Sequence, residues 1–254
     1  MFIMNESVSL FNIGFSEILI FGRSASIYAV LPVIGAVVIS LMGAIFAKLK
    51  KRDVNFAFRL NLLFGMGLAL SMLYNKYLVF DRVILCFVFP LGLALIYFCY
   101  WVVALIFKKD ILYILTQANL VVMLFPVFTQ MGCFHAGCCY GKPYDGIFSV
   151  TYGAGSDCSC PNTPFFAIRI LEALAFLILF ILVFVFSKKH MKKIYIPLFA
   201  LLNFAVYYGG MALGANECNF LYSGGKNYAA FVSVVLLAMA VALIIISIRK
   251  EKIK

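Results

Sequence analysis

The sequence predicts an all-α integral membrane protein with seven transmembrane helices, its N-terminus outside and its C-terminus cytoplasmic. Three observations predict it. Hydrophobic residues fill 65% of the 254 positions and charged residues 12%, against roughly 45–50% and ~25% in soluble domains. A globule of this size cannot enclose that much apolar surface. The apolar residues run unbroken over helical lengths, whereas a membrane barrel needs alternating strands of about ten residues. The basic residues, which give a net charge of +11, cluster at the ends of these runs. Such a composition excludes a soluble enzyme, a disordered chain and a nucleic-acid-binding domain. The excess charge marks a side of a bilayer instead.

The seven spans are about Ser26–Leu49, Phe56–Leu73, Val83–Phe107, Ile111–Met131, Pro164–Phe186, Ile194–Leu213 and Tyr228–Ile248. Each is near the ~20 residues that cross the hydrocarbon as a helix, where only helices satisfy their own backbone polar groups. The third is long, so it either tilts or begins with an interfacial stretch. Lys48, Lys50, Lys51 and Arg52 follow the first span, Lys108 and Lys109 the third, and Lys188, Lys189, Lys192 and Lys193 the fifth; Arg249, Lys250, Lys252 and Lys254 end the chain. The opposite side holds only Arg23, Lys76, Arg82, Lys142 and Lys226. By the positive-inside rule the larger set is cytoplasmic. An odd number of spans puts the N-terminus on the other side, in agreement.

Residues 1–20 contain no Lys or Arg, so they are not a cleavable signal. Phe2, Phe11, Phe15 and Phe21 suit either a segment lying on the outer surface or an ordinary ordered terminus. No repeat or linker divides the chain. Residues 1–254 form one membrane domain with a cysteine-rich extracytoplasmic loop at about 132–163.

Polar residues within spans point to bundle interiors or cavities. They are Arg59, Asn61, Gln117, Asn119, Arg169, Glu172 and Asn203. Arg59 lies near a span end and can snorkel. Arg169 and Glu172 are three apart, hence neighbours on one helix face and a possible ion pair. Gly210 and Gly214 form a small-xxx-small pair that favours close helix packing, as Gly65 and Gly67 do less specifically.

Chemistry concentrates in the run Gly132-Cys133-Phe134-His135-Ala136-Gly137-Cys138-Cys139-Tyr140-Gly141-Lys142-Pro143, continued by Cys158 and Cys160. With Cys218 this places six cysteines outside. Three readings compete. Six external cysteines allow disulfides in 15 pairings. Cys133, His135, Cys138, Cys158 and Cys160 supply soft ligands for zinc, though without a C-x₂-C spacing. One cysteine, activated by His135, would be a nucleophile. His135 is also the one imidazole available for proton transfer on the outer side, since His190 lies among cytoplasmic lysines.

The run from Thr129 to Gly141, ending in Lys142-Pro143, resembles the prolipoprotein diacylglyceryl transferase family, in a divergent branch with a Gly-Cys-Phe-x-x-Gly-Cys-Cys-Tyr-Gly run. Glu172-Ala173 is similar to the family's pattern opening the fifth span, and Gly65-Met66-Gly67 through Leu73-Tyr74-Asn75 resembles its second. Tyr28 sits where the first span usually carries a tyrosine. The family's signature arginine falls on Gln130, its asparagine on Cys133 and its glutamate on Cys138; Tyr207 stands near its sixth-span arginine, and no His-Gly-Gly is found.

The resemblance implies seven spans in a bacterial cell membrane. It implies transfer of a diacylglyceryl group from phosphatidylglycerol to the lipobox cysteine of a membrane-anchored prolipoprotein. No cofactor, metal or nucleic acid is expected. By residue chemistry and side of membrane, His135 would be the base. Lys142 and Arg169 would hold the phosphate, and Tyr28, Tyr207 and Gln130 would line the headgroup. Gly132, Cys133, Gly137, Cys138, Cys139, Gly141 and Glu172 complete the motif. Two other readings keep the membrane architecture: a relative that acts on another lipid, and a non-enzymatic module whose cysteine loop binds metal or senses redox state.

A chain keeping only Cys160 tests the orientation. An impermeant maleimide is expected to label it from outside the cell and not from the cytoplasmic side.

Overall fold

The computed structural model describes residues 11–13, 17–20, 23–74, 95–153, 156, 158, 160–192 and 194–213, with backbone alone at 11–13, 17–20, 23–25, 204, 208 and 211–213. The expected seventh span, most of the first half of the third, Cys86, Gly214 and Cys218 lie outside the described residues.

Among the described residues six helices follow in order: α1 (Ile27–Leu49), α2 (Val54–Tyr74), α3 (Leu95–Ile106), α4 (Ile111–Ala136), α5 (Ile168–Lys189) and α6 (Tyr195–Leu213). By length and composition α1, α2, α4 and α5 can each cross a membrane. Their outer faces are apolar: Ile34, Val37, Leu41 and Ile45 on α1, and Leu174, Ile178, Ile181 and Val185 on α5, are exposed at helical spacing. In water such stripes would stay poorly solvated; against lipid they are the solvated face.

α4 is the axis of the bundle and touches α1, α2, α5 and α6. Its buried polar residues tie the others to it. Asn61 Nδ2 donates to Gln117 Oε1 at 2.9 Å, and Tyr100 Oη donates to Asn61 Oδ1 at 2.8 Å. Gln117 Nε2 donates to the Gly43 carbonyl at 3.2 Å and to Tyr113 Oη at 2.9 Å. One network therefore joins α1, α2, α3 and α4. Gly43 must be glycine here, because a Cβ would overlap the Asn61 amide. Gly65 lets α2 approach α1, where a Cβ would stand 2.9 Å from Ala36 Cα. Gly67, expected to do the same, has nothing within 4 Å of its Cβ position.

Pro126 interrupts α4. Proline has no N–H, so it cannot bond the carbonyl four residues back. That carbonyl belongs to Val122, and Asn203 Nδ2 of α6 donates to it at 2.7 Å. The buried Asn203 thus docks α6 where the α4 ladder is broken.

Asp110 caps α4, accepting from Leu112 N and Tyr113 N, and pairs with Arg52 at 2.7 Å. Lys50 Nζ donates to the Lys188 carbonyl at 2.9 Å. The basic ends of α1 and α5 and the basic turn before α4 therefore share one end of the bundle.

The described residues are mostly helical, as expected, and the other end of the bundle adds short strands to the helices. β1 (Phe11–Ile13), β4 (Ser149–Tyr152) and β5 (Pro164–Phe166) form a sheet in the order β1-β4-β5, and β2 (Glu17–Ile20) pairs with β3 (Arg23–Ser26). β1 runs parallel to β4 with Phe11 opposite Val150; β5 is antiparallel with Phe165 opposite Val150. Pro164, assigned from sequence to the fifth span, lies in an edge strand, where a missing N–H costs no ladder bond. Phe134, Tyr140, Val150, Tyr152, Cys158 and Phe165 make a second, smaller core under this sheet.

Asn61→Ala breaks two interhelical bonds and Gly43→Ala displaces the amide. Each is expected to cost about 1–3 kcal/mol, read as a lower melting midpoint in detergent. Leu63→Ala, on the exposed face of α2, should leave the midpoint unchanged.

Candidate functional site

The cysteine motif begins on a helix, not in a loop. α4 continues five residues past the expected end of its span, so Gly132, Cys133 and His135 occupy its last turns. Gly137 ends it with φ 70° and donates to the Cys133 carbonyl at 3.0 Å. That left-handed turn suits glycine, and a Cβ would also stand 2.9 Å from Tyr152. The chain reverses at Gly137 and brings Cys138 and Cys139 back beside Cys133. The Sγ atoms of Cys133, Cys138 and Cys139 all lie within 4.8 Å of one another. Cys138 Sγ also faces the Cys133 carbonyl at 3.9 Å. Hydrogen bonds with Cys133 and Cys139, together with burial, hold the Cys138 thiol well above its usual range. Without another cation it is a neutral thiol, which argues against its acting as a lone nucleophile.

Arg169, in the first turn of α5, locks the far side of the turn. Its Nε donates to the Cys139 carbonyl at 2.7 Å, and its Nη1 donates to Gln130 Oε1 at 3.4 Å and to the Glu172 carboxylate. The sequence spacing had suggested the Arg169–Glu172 pair, and both side chains are buried, at 9% and 2% exposure. Two charges this deep persist only when paired and hydrogen-bonded. Gly210 of α6 lies flat against the Glu172 carboxylate, where a Cβ would overlap Oε1. Its role is to make room for a carboxylate rather than a helix backbone.

Tyr28 is buried at the start of α1, and Gly132 lets α4 close on it: a Cβ there would lie 3.4 Å from Tyr28 Cα. Tyr207 is half-buried one turn before Gly210 on α6. His135 is half-buried with its ring edge-on to Phe134 at 5.6 Å, and it stands outside the sulfur cluster. Lys142 is exposed, and its carbonyl accepts from Phe166 N at 3.0 Å. Gly141 is buried against Phe166, where a Cβ would overlap the Phe166 carbonyl.

The structure thus brings together Tyr28 with Gly132, Gln130 with Arg169 and Glu172, and three cysteines with the Arg169-bound carbonyl. It does not bring His135, Cys158 and Cys160 into the zinc set that the sequence suggests. Cys158 is buried in the small core and Cys160 is exposed. Among the described residues no two cysteines are joined by a disulfide. The sequence reading left Cys139 out of the zinc ligand set; Gly137, placed as a helix-ending glycine, was the signal that would have found it. No family model, curated protein or solved structure matches this chain.

Arg169→Leu leaves Glu172 buried without its partner and should cost about 3–5 kcal/mol. Arg169→Lys should recover only part of this, since one ammonium cannot reproduce the fork to three acceptors. Thermal unfolding followed by size-exclusion fluorescence checks both.

Proposed function

We propose that this chain is a membrane-embedded transferase, moving a diacylglyceryl group from phosphatidylglycerol to the lipobox thiol of a prolipoprotein. One observation carries the reading. Residues marked by the sequence resemblance on three separate segments (Tyr28, the Gln130–Cys139 run and Glu172) meet, together with Arg169 and Gly210, at the end of the bundle opposite the basic clusters. In this reading the chain has seven spans in a bacterial cell membrane, and that end faces outward.

The acceptor sulfur forms a thioether bond to the glyceryl carbon. The carbon–oxygen bond to phosphate breaks, and glycerol 1-phosphate leaves with the electron pair. His135 takes the thiol proton. Lys142 meets the phosphate from the loop and Arg169 from within, while Tyr28, Tyr207 and Gln130 bind the headgroup. Glu172 already neutralises Arg169. That pairing favours, as the second reading, a relative that acts on a lipid with a less charged headgroup.

Rescue of a transferase-depleted bacterium separates the two. The expected result is restored growth at normal expression and a fall in transfer of about 10²-fold or more with His135→Ala. A chain that reaches the membrane and does not rescue supports the second reading. Full activity in His135→Ala would remove the base assignment.

A further inference from the structure

The three converging sulfurs have no part in the reaction as just written. Their placement is built, not incidental. Cys133 is held by the last turn of α4, Cys138 and Cys139 by the left-handed turn at Gly137, and Cys139 again by the Arg169 bond to its carbonyl. As residues all three cysteines are half-buried.

Three thiols at one point suit a soft, thiophilic cation better than a staple. A disulfide uses two sulfurs and leaves the third beside it. A tetrahedral zinc ion with Zn–S bonds of about 2.3 Å sets its sulfurs about 3.8 Å apart. From separations within 4.8 Å the cluster needs to contract by at most about 1 Å, which side-chain rotation can supply on this backbone. Thiolates select zinc or Cu(I) over harder cations. Three thiolates on Zn²⁺ leave one negative charge; the Arg169 guanidinium, itself paired with Glu172, bonds the Cys139 carbonyl beside the cluster. Three protein ligands with one open position is the arrangement of catalytic rather than structural zinc.

We propose that Cys133, Cys138 and Cys139 bind one Zn²⁺ through three thiolates, and that its fourth position takes an exogenous thiol. A thiol bound there gives up its proton, to His135 in the lipid-transfer reading and to water for an added free thiol, and is held as thiolate at neutral pH. That is the activation an acceptor cysteine needs before alkylation; this last role, unlike the metal site, rests on the lipid-transfer reading.

The test uses the full chain purified in detergent with a phosphine reductant and no chelator. Elemental analysis should find about one zinc per chain. Replacement by Co²⁺ should give thiolate-to-cobalt charge-transfer absorption with tetrahedral visible bands, and added 2-mercaptoethanol should shift those bands. Cys133→Ser, Cys138→Ser and Cys139→Ser should each weaken binding by about tenfold or more. Cys99→Ser and Cys160→Ser should leave it unchanged. Thermal unfolding of each variant separates a lost ligand from a lost fold.

A folded chain that takes up neither metal overturns the site, as does a triple variant that binds as tightly as the parent. Cobalt bands indifferent to added thiol overturn the open fourth position. Zinc bound by a chain that fails to rescue transfer sinks the proposed reaction and leaves the metal site standing.

Discussion

Inside the bundle the amides of Asn61 and Gln117 meet across two helices, and the architecture depends on their being satisfied. Hydrocarbon offers no water to an unpaired amide, so each such group has to find its partner within the protein. The pair does so through Tyr100, Tyr113 and the carbonyl of Gly43, and the list of partners sets which helices are neighbours. Hydrophobic burial alone would not specify this, because lipid tails are as apolar as leucine. Polar satisfaction supplies the register that burial cannot. Asn203 applies the same rule to α6, finding the one carbonyl that Pro126 strips of its helical donor.

A second constraint shapes the opposite end. The left-handed turn at Gly137 reverses the chain directly after α4, and Arg169 bonds the carbonyl that follows. Local backbone geometry and one buried guanidinium together hold the motif. The same guanidinium carries Glu172, which in turn requires a glycine on α6. The cysteine cluster, the ion pair and the α5–α6 contact therefore form one connected unit.

Span positions were legible from sequence because an apolar run of helical length has one stable form in a bilayer. The boundaries of α1, α2 and α6 fall within two residues of those expected. The misses share a cause. Gly132 to Ala136 read as loop because they open the cysteine motif, yet the helix runs on until Gly137 offers a positive φ. Pro164 to Phe166 read as helix because they are apolar, yet they pair with β4 outside the span. Composition reports the medium a residue prefers; it does not report the hydrogen bonds its backbone will make. For the site, the Arg169–Glu172 pair was visible because both partners sit on one helix face. The cysteine cluster was not, since it depends on a chain reversal.

The sequence by itself determined the apolar class of the chain, the positions of five helices and the gathering of basic residues at alternate span ends. These follow from transfer free energies that act residue by residue. Only the tertiary structure decided which amide meets which, which glycine faces a carboxylate and which three of the six described cysteines share a point. Those are distances between segments far apart in the chain. They are set by packing and polar satisfaction together, which no local pattern encodes.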